Sequence, residues 1–419
     1  MAMHRLDPAA PGLSAFIRPG DRVLCAQTCA EPSLLAAALP AAHATVGPFE
    51  TFLGTLVSTS FDHMPEAMAF AGYGAMGRAA RLARQGRLDV WPLHYSALEA
   101  GFASGAIRAD VVLIQLAEGP GGYCATLAND YVLAAARHAR CVIAQVNARA
   151  PWCVGAELDP DLRIDAVVEA ETDLVEAPSA PSGETEAAIA RHVAGLVPDG
   201  ATIQIGVGTL PDAVLDALEG HRDLGIHSGV LSGRMGGLIA RGVVTNARKS
   251  LEPGVSVGNL VIGRREFFDL IDGNPAFALR PAAHTHAIGT LARQERLVTI
   301  NSAIEVDLLG QVNAERADGQ PVGGTGGLVD FTRGARLAPK GRAILALRAT
   351  DRSGGRSRIV PRVEAVTIGR ADVDTVVTEF GVAELAHLGA ADRARALIAI
   401  AAPQHRELLE RSLHEGGAP

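Results

Sequence analysis

The chain has 419 residues, a net charge of −8, and 48% hydrophobic against 20% charged residues. Its length exceeds one ordinary domain and suits two or three. The acidic balance excludes the basic surface that nucleic-acid phosphates require, and no run approaches the ~18 apolar residues of a membrane span. With aromatics at only 4%, the core must come from aliphatic and small side chains, which suits helices packed closely on a sheet.

In chain order, the opening stretch MAMHRLDPAAPGLSAF carries charge but no apolar segment, so no secretory leader is expected. The five cysteines are scattered and odd in number, the usage of a reduced, cytoplasmic chain. Cys25 and Cys29 have no second ligand pair, and His284 and His286 read as surface histidines, so no metal site is expected. Residues 17–39, IRPGDRVLCAQTCAEPSLLAAAL, read as a turn, a short apolar strand, a small-residue loop, a proline and a helix. The runs ADVVLIQL (109–116) and ARCVIAQVN (139–147) are strands of the doubly buried kind, with YVLAAARHA a helix between them.

The segment TDLVEAPSAPSGETE lacks apolar periodicity. It sets the expected division: a first lobe over 1–175, a linker over 176–190 and a second lobe over 191–419. Residues 196–218, LVPDGATIQIGVGTLPDAVLDAL, then repeat the design of 17–39 without a gap. Pro19 answers to Pro198, Pro32 to Pro211 and Leu39 to Leu218, which points to two lobes of similar build. Further strands are GATIQIG (200–206), RLVTINSA (296–303), RAILALRA (342–349) and DTVVTEFG (374–381), with helices such as PDAVLDALEGH and ADRARALIAIA. Such alternation predicts α/β lobes with mainly parallel sheets flanked by helices.

Three loops at strand ends stand out. Gly206-Val207-Gly208 precedes a helix and leaves backbone N–H groups free for an anion or an oxyanion. Leu224-Gly-Ile-His227-Ser228-Gly229 is apolar with a polar tip. Gly323-Gly324-Thr325-Gly326-Gly327 would be entropically wasteful as a plain connection and suits close approach of backbone to a ligand. In open α/β sheets, strand ends of this kind are where ligands bind. A dinucleotide fingerprint is absent from these loops, since no third glycine and downstream acid follow.

The segments GVGTLPDAVLDAL, LGIHSG, VVTNARK, INSAIEVDLLGQVNAE, GGTGGLVDFTRGA, SRIVP, DVDTVVTEFG and RARALIAIAAP occur in the order seen in the acetyl-CoA hydrolase/4-hydroxybutyrate CoA-transferase family. The chain resembles that family densely over 198–408 and more loosely in the first lobe. The resemblance implies two CoA-transferase-type lobes, a homodimer, and acyl-CoA and a small carboxylate as substrates. It implies no covalently bound cofactor and no nucleic-acid or membrane partner. It also implies that backbone N–H groups near Val207 and Gly326 or Gly327 bind the thioester oxygen, with Gly206, Gly208, Gly323, Gly324, Arg333 and Arg358 around CoA. The pair Arg248-Lys249 is a further basic candidate.

One position departs from the family. Its catalytic glutamate, which carries the acyl group and then CoA through covalent intermediates, falls at Gly229 here, and Val230-Leu231-Ser232 offers no replacement. Three readings stay open. Another carboxylate takes over, with Glu31 first and Glu50, Glu305 and Glu379 behind it. Alternatively, water or an acceptor attacks the thioester directly, with His227 as general base; this predicts a hydrolase or a direct transfer. Last, the chain binds CoA or acyl-CoA without chemistry. Transfer is the leading expectation and hydrolysis the next.

Overall fold

The computed structural model describes residues 3–177 and 181–415. The first lobe is built on a sheet ordered His4–Leu6, Ala166–Ala170, Cys141–Asn147, Val111–Gly119, Arg22–Cys25, Glu50–Leu53, Ala69–Gly72 and Leu88–Val90. Its neighbours pair in parallel, and a short strand, Gly122–Cys124, adds an antiparallel hairpin to Val111–Gly119. Cys141–Asn147 is buried along its whole length because both faces are covered. Leu35 and Leu39 of helix Ser33–Val46 cover one face. Tyr95, Leu98, Phe102 and Tyr131 cover the other.

The second lobe carries the sheet Gly225–Ile226, Thr202–Ile205, Leu297–Ser302, Arg342–Ala346, Thr375–Thr378 and Gly381–Glu384. Only the last pairing is antiparallel, so this sheet too is mainly parallel. The two halves of the sequence repeat take matching places. Arg22–Cys25 and Thr202–Ile205 are inner strands with parallel neighbours on both sides. Each is entered through a left-handed glycine, Gly20 (φ 78°) and Gly200 (φ 72°), and each leads into a helix, Ser33–Val46 and Thr209–Ala217.

Two expectations need correction. The first-lobe helix does not stop at Leu39 but runs through Pro40 to Val46. An internal proline forfeits a hydrogen bond and costs ~3 kcal/mol, here offset by burial of Leu35, Ala36, Leu39 and Ala42. Within 176–190, residues 178–180 lie outside the described residues, and helix Glu184–Ala194 then begins. It is tied into the second lobe: Ile189 and Val193 pack with Val214 and Leu215, and Glu186 pairs with Arg348 at 2.7 Å.

The lobes meet through backbone and buried polar groups. Ala75 N–H donates to Gly323 O and Tyr95 N–H to Gly326 O, both at 2.8 Å. The Asp330 carboxylate accepts from Ser96 Oγ (2.7 Å) and Ser96 N (3.2 Å), and Tyr95 Oη donates to Asn259 Oδ1 (2.8 Å). This interface holds the glycine-rich loop of one lobe against the first turn of helix Tyr95–Ala103 of the other.

Candidate functional site

Because Thr202–Ile205 and Gly225–Ile226 are parallel neighbours, the loops that follow them emerge side by side. Ser228 Oγ donates to Ile205 O (3.4 Å), and Gly206 N–H to Ile300 O (3.0 Å). Val207 stands at the tip of its loop with 53% exposure. Gly208 has φ 132°, a backbone setting that side chains rarely adopt. The glycine-rich loop lies against the first lobe, through Ala75 and Tyr95, and against His286.

Its glycines divide by role. A Cβ on Gly323 would lie 2.2 Å from Ala314 O, and one on Gly324 2.7 Å from Gly74 Cα. Both positions are closed to any side chain by backbone, the first within the second lobe and the second across the lobes. Gly327 differs: its Cβ would lie 2.7 Å from His286 Nε2. A Cβ on Gly229 would meet the same nitrogen at 2.9 Å and Phe331 at 3.3 Å. Gly229 and Gly327 therefore flank one imidazole, and the structure brings together the two loops expected to act on a thioester.

His286 is not a surface residue. It is 4% exposed, tilted between Tyr95 (4.6 Å between ring centroids) and Phe331 (4.7 Å). Burial pushes its pKa down to about 3, so the ring is neutral. Thr285 Oγ1 directs its proton to Pro281 O (3.3 Å) and so accepts from His286 Nδ1–H (2.8 Å). That fixes the tautomer with the lone pair on Nε2, which has no hydrogen-bond partner among the described residues.

His227, expected as a general base, is placed otherwise. It is fully buried; Nε2–H donates to Thr285 O (3.2 Å), and Nδ1 accepts from Gln294 (3.1 Å). Burial, then the charge of Lys249, lowers its pKa to about 3. With both nitrogens engaged, it buttresses the backbone that carries His286 and is unable to serve as a base. His227, Glu252 and His284 present ligand-type atoms within 4.8 Å of one another. Glu252, however, is held by Arg280 (2.8 Å) and His284 (3.0 Å), and the ammonium of Lys249 is bonded to Ile226 O (2.9 Å). Engaged lone pairs and adjacent cations make a poor cation site.

The substitute carboxylates are also occupied. Glu31 is 1% exposed, accepts from Ser58 Oγ (2.9 and 2.7 Å to its two oxygens), and has its pKa raised by burial. Glu50 pairs with Arg22 (2.5 Å), Glu305 with Arg358 (3.3 Å), and Glu379 accepts from Ala349 N–H (2.9 Å). Arg358 is thereby neutralised, as is Arg333 by Asp372 (2.9 Å); Arg248 lies 3.5 Å from Asp223, and Lys249 is buried. A groove of about 660 Å³ is instead lined by Val207, Gly208, Thr209, Gly233, Gly237 and Arg264. Arg264 has no carboxylate partner among the described residues. Neither His286 nor Arg264 sits in a motif that sequence reading singled out for binding; only the fold brings them to the loops.

Residues 263–413 match the acetyl-CoA hydrolase/transferase C-terminal domain. The chain is 39% identical over 329 residues to the 4-hydroxybutyrate coenzyme A transferase of Clostridium kluyveri, covering 77% of each chain. It is 34% identical over 358 residues to the succinyl-CoA:acetate/propanoyl-CoA:succinate CoA transferase of Fasciola hepatica, covering 84% of this chain and 74% of that one. The crystal structure of RipA from Yersinia pestis superposes with a TM-score of 0.92 at 30% identity, covering 99% of this chain and 97% of that one.

Proposed function

Because this chain belongs to the acetyl-CoA hydrolase/transferase family, we propose that it is an enzyme moving coenzyme A between an acyl-CoA thioester and a small carboxylate. The observation that carries this reading is that Gly229 and Gly327 flank one imidazole, while the Gly206–Gly208 loop, whose strand end bonds Ser228, opens onto a groove. Backbone N–H groups at Val207 and at Gly326 or Gly327 take the developing oxyanion, each worth ~3 kcal/mol of barrier. With no carboxylate at 229, the acceptor attacks the thioester carbonyl itself. CoA leaves as thiolate and a mixed anhydride of donor and acceptor forms. The thiolate then attacks the acceptor carbonyl, and the donor carboxylate departs.

Coenzyme A is substrate in this scheme, and nothing is covalently attached to the protein. The same reading takes in a cytoplasmic homodimer, with a first lobe over 1–175 and a second lobe that begins with helix Glu184–Ala194. Hydrolysis is the second reading, favoured by the unpartnered imidazole beside Gly229. The deciding experiment incubates the protein with several acyl-CoAs, with and without acetate or succinate, and follows free thiol and exchanged acyl-CoA by mass spectrometry. New acyl-CoA carrying the acceptor is the expected result. The transfer reading is sunk if no acceptor ever receives CoA.

A further inference from the structure

His286 fills the space that a side chain at 229 would enter, with Nε2 at 2.9 Å from that Cβ position and 2.7 Å from the one at Gly327. Its ring is gripped by Tyr95 and Phe331, and Thr285 holds its tautomer. The lone pair therefore lies against Gly229, the position of the family's glutamate, and Gly327 of the glycine-rich loop. Transfer makes no use of it, because an acceptor carboxylate attacks already deprotonated. Water does need a base, since it must lose a proton as it attacks.

We infer that His286 is a catalytic residue for thioester hydrolysis, its Nε2 taking the proton of a water that attacks the acyl carbonyl beside Gly229. The step balances. The water oxygen bonds to carbon as its proton passes to Nε2, and the carbonyl electrons move to the oxyanion held by Val207 and Gly327 N–H. The adduct collapses, the C–S bond breaks with its pair on sulfur, and the imidazolium returns the proton to the thiolate. Acid and free CoA result. An oxyanion forming next to the ring favours the imidazolium that the empty site disfavours. The absence of a side chain at 229 is then a requirement, because His286 and a larger residue there exclude each other. The inference rests on the thioester reading of this site.

The test uses the full chain with acetyl-CoA, following free thiol without acceptor and exchange with added succinate. Wild type, His286→Asn and His286→Gln are compared, with CoA binding measured by calorimetry and folding by thermal melts. Thiol release should fall about 100-fold or more in both variants, while CoA affinity and exchange persist. A merely structural role would lower exchange and release together. Gly229→Val is a second route, since its Cβ displaces the imidazole without adding the family's carboxylate, and it too should abolish release. In single turnovers of wild type in ¹⁸O water, the label should enter the released acid and no protein carboxylate.

Folded His286 variants that release thiol at the wild-type rate overturn the inference, as does label in a protein carboxylate. Exchange without any thiol release also overturns it while leaving the transfer reading intact. If wild type neither binds CoA nor cleaves a thioester, both fall.

Discussion

In the first lobe, the loop after strand Arg22–Cys25 is sealed: every residue from Ala26 to Pro32 is buried. In the second, the loop after Thr202–Ile205 opens at once, with Gly206 half-buried and Val207 and Gly208 exposed. The two units share a strand, a helix and a place in their sheets, so the scaffold does not decide the difference. Side chains do. Gln27 accepts from Thr55 N–H (2.9 Å) and Tyr73 Oη (2.8 Å) and donates to Asp130 (2.7 Å); Glu31 is closed off by Ser58. Gly-Val-Gly has no polar side chain, so its backbone donors stay open to a ligand. The sealed loop even holds Thr28 at φ 55°, a strained setting for a β-branched residue. One copy is sealed; the other opens onto the groove.

The strongest way to break that comparison is to remove the backbone donor from the open loop. Val207→Pro deletes the N–H at the exposed tip and should lower turnover by about 10²–10³-fold. Its melting temperature should stay close to wild type, because the side chain packs against little. Steady-state exchange assays beside thermal melts separate these effects. A proline variant with full activity would remove Val207 from the oxyanion site.

The sealed loop should respond in the opposite sense. Glu31→Ala leaves Ser58 without its partner and opens a cavity, at a cost of ~2–4 kcal/mol in urea unfolding. Glu31→Gln mimics the protonated carboxyl that burial favours and should stay within ~1 kcal/mol of wild type. Turnover of the folded glutamine variant should be that of wild type. A well-folded Glu31→Gln with no activity would restore Glu31 as a substitute nucleophile and end the contrast between loops.

Acid sharpens the comparison further, because the two lobes carry buried groups of opposite sign. His227 and His286, on the open side, are held neutral with pKa values of about 3. The unfolded chain protonates them near 6.5. Below that pH the unfolded state binds protons that the native state refuses, so each group costs ~1.4 kcal/mol per pH unit as pH falls toward 3. Asp130, beside the sealed loop, is raised by burial to about 6 and works the other way. Its contribution is present at low pH and is lost as pH rises through 6. His227 faces Lys249, His284 and Glu252, so the clean measurement is a difference between proteins. Between pH 6.5 and 5, His227→Gln should lose ~2 kcal/mol less stability than wild type. Parallel urea curves would show that the buried imidazole is not neutral.

The sheets were legible in the sequence because doubly buried strands such as Cys141–Asn147 read as unbroken apolar runs. Short strands with mixed composition, such as Ala69–Gly72 and Leu88–Val90, gave no comparable signal. Gly229 was legible as a departure, and Val207 and Gly327 as members of glycine-bearing loops at strand ends. His286 was not. It lies far along the chain from residue 229, in a His-Thr-His segment whose burial depends on Tyr95 from the other lobe and Phe331. The pairing of Arg333 with Asp372 and of Arg358 with Glu305 was hidden for a related reason: sequence gives the charge of an arginine but not the acid across from it.

The smallest expected effect concerns the cation that remains. Arg264 is exposed and lines the same groove as Val207, and it has no carboxylate partner among the described residues. Arg234, on the same groove, pairs with Asp216 at 2.9 Å. If the open loop holds the thioester, a CoA phosphate lies within reach of Arg264. An exposed guanidinium in water contributes ~1 kcal/mol to such a contact, so Arg264→Ala should weaken CoA about 5-fold by calorimetry. Raising salt to about 0.5 M should remove most of that difference, since exposed charges are screened. Arg5→Ala, which breaks an exposed pair with Glu169 in the first lobe, should leave CoA affinity unchanged. Equal losses in both variants would trace to net charge alone, and the groove would then have no claim on the phosphates.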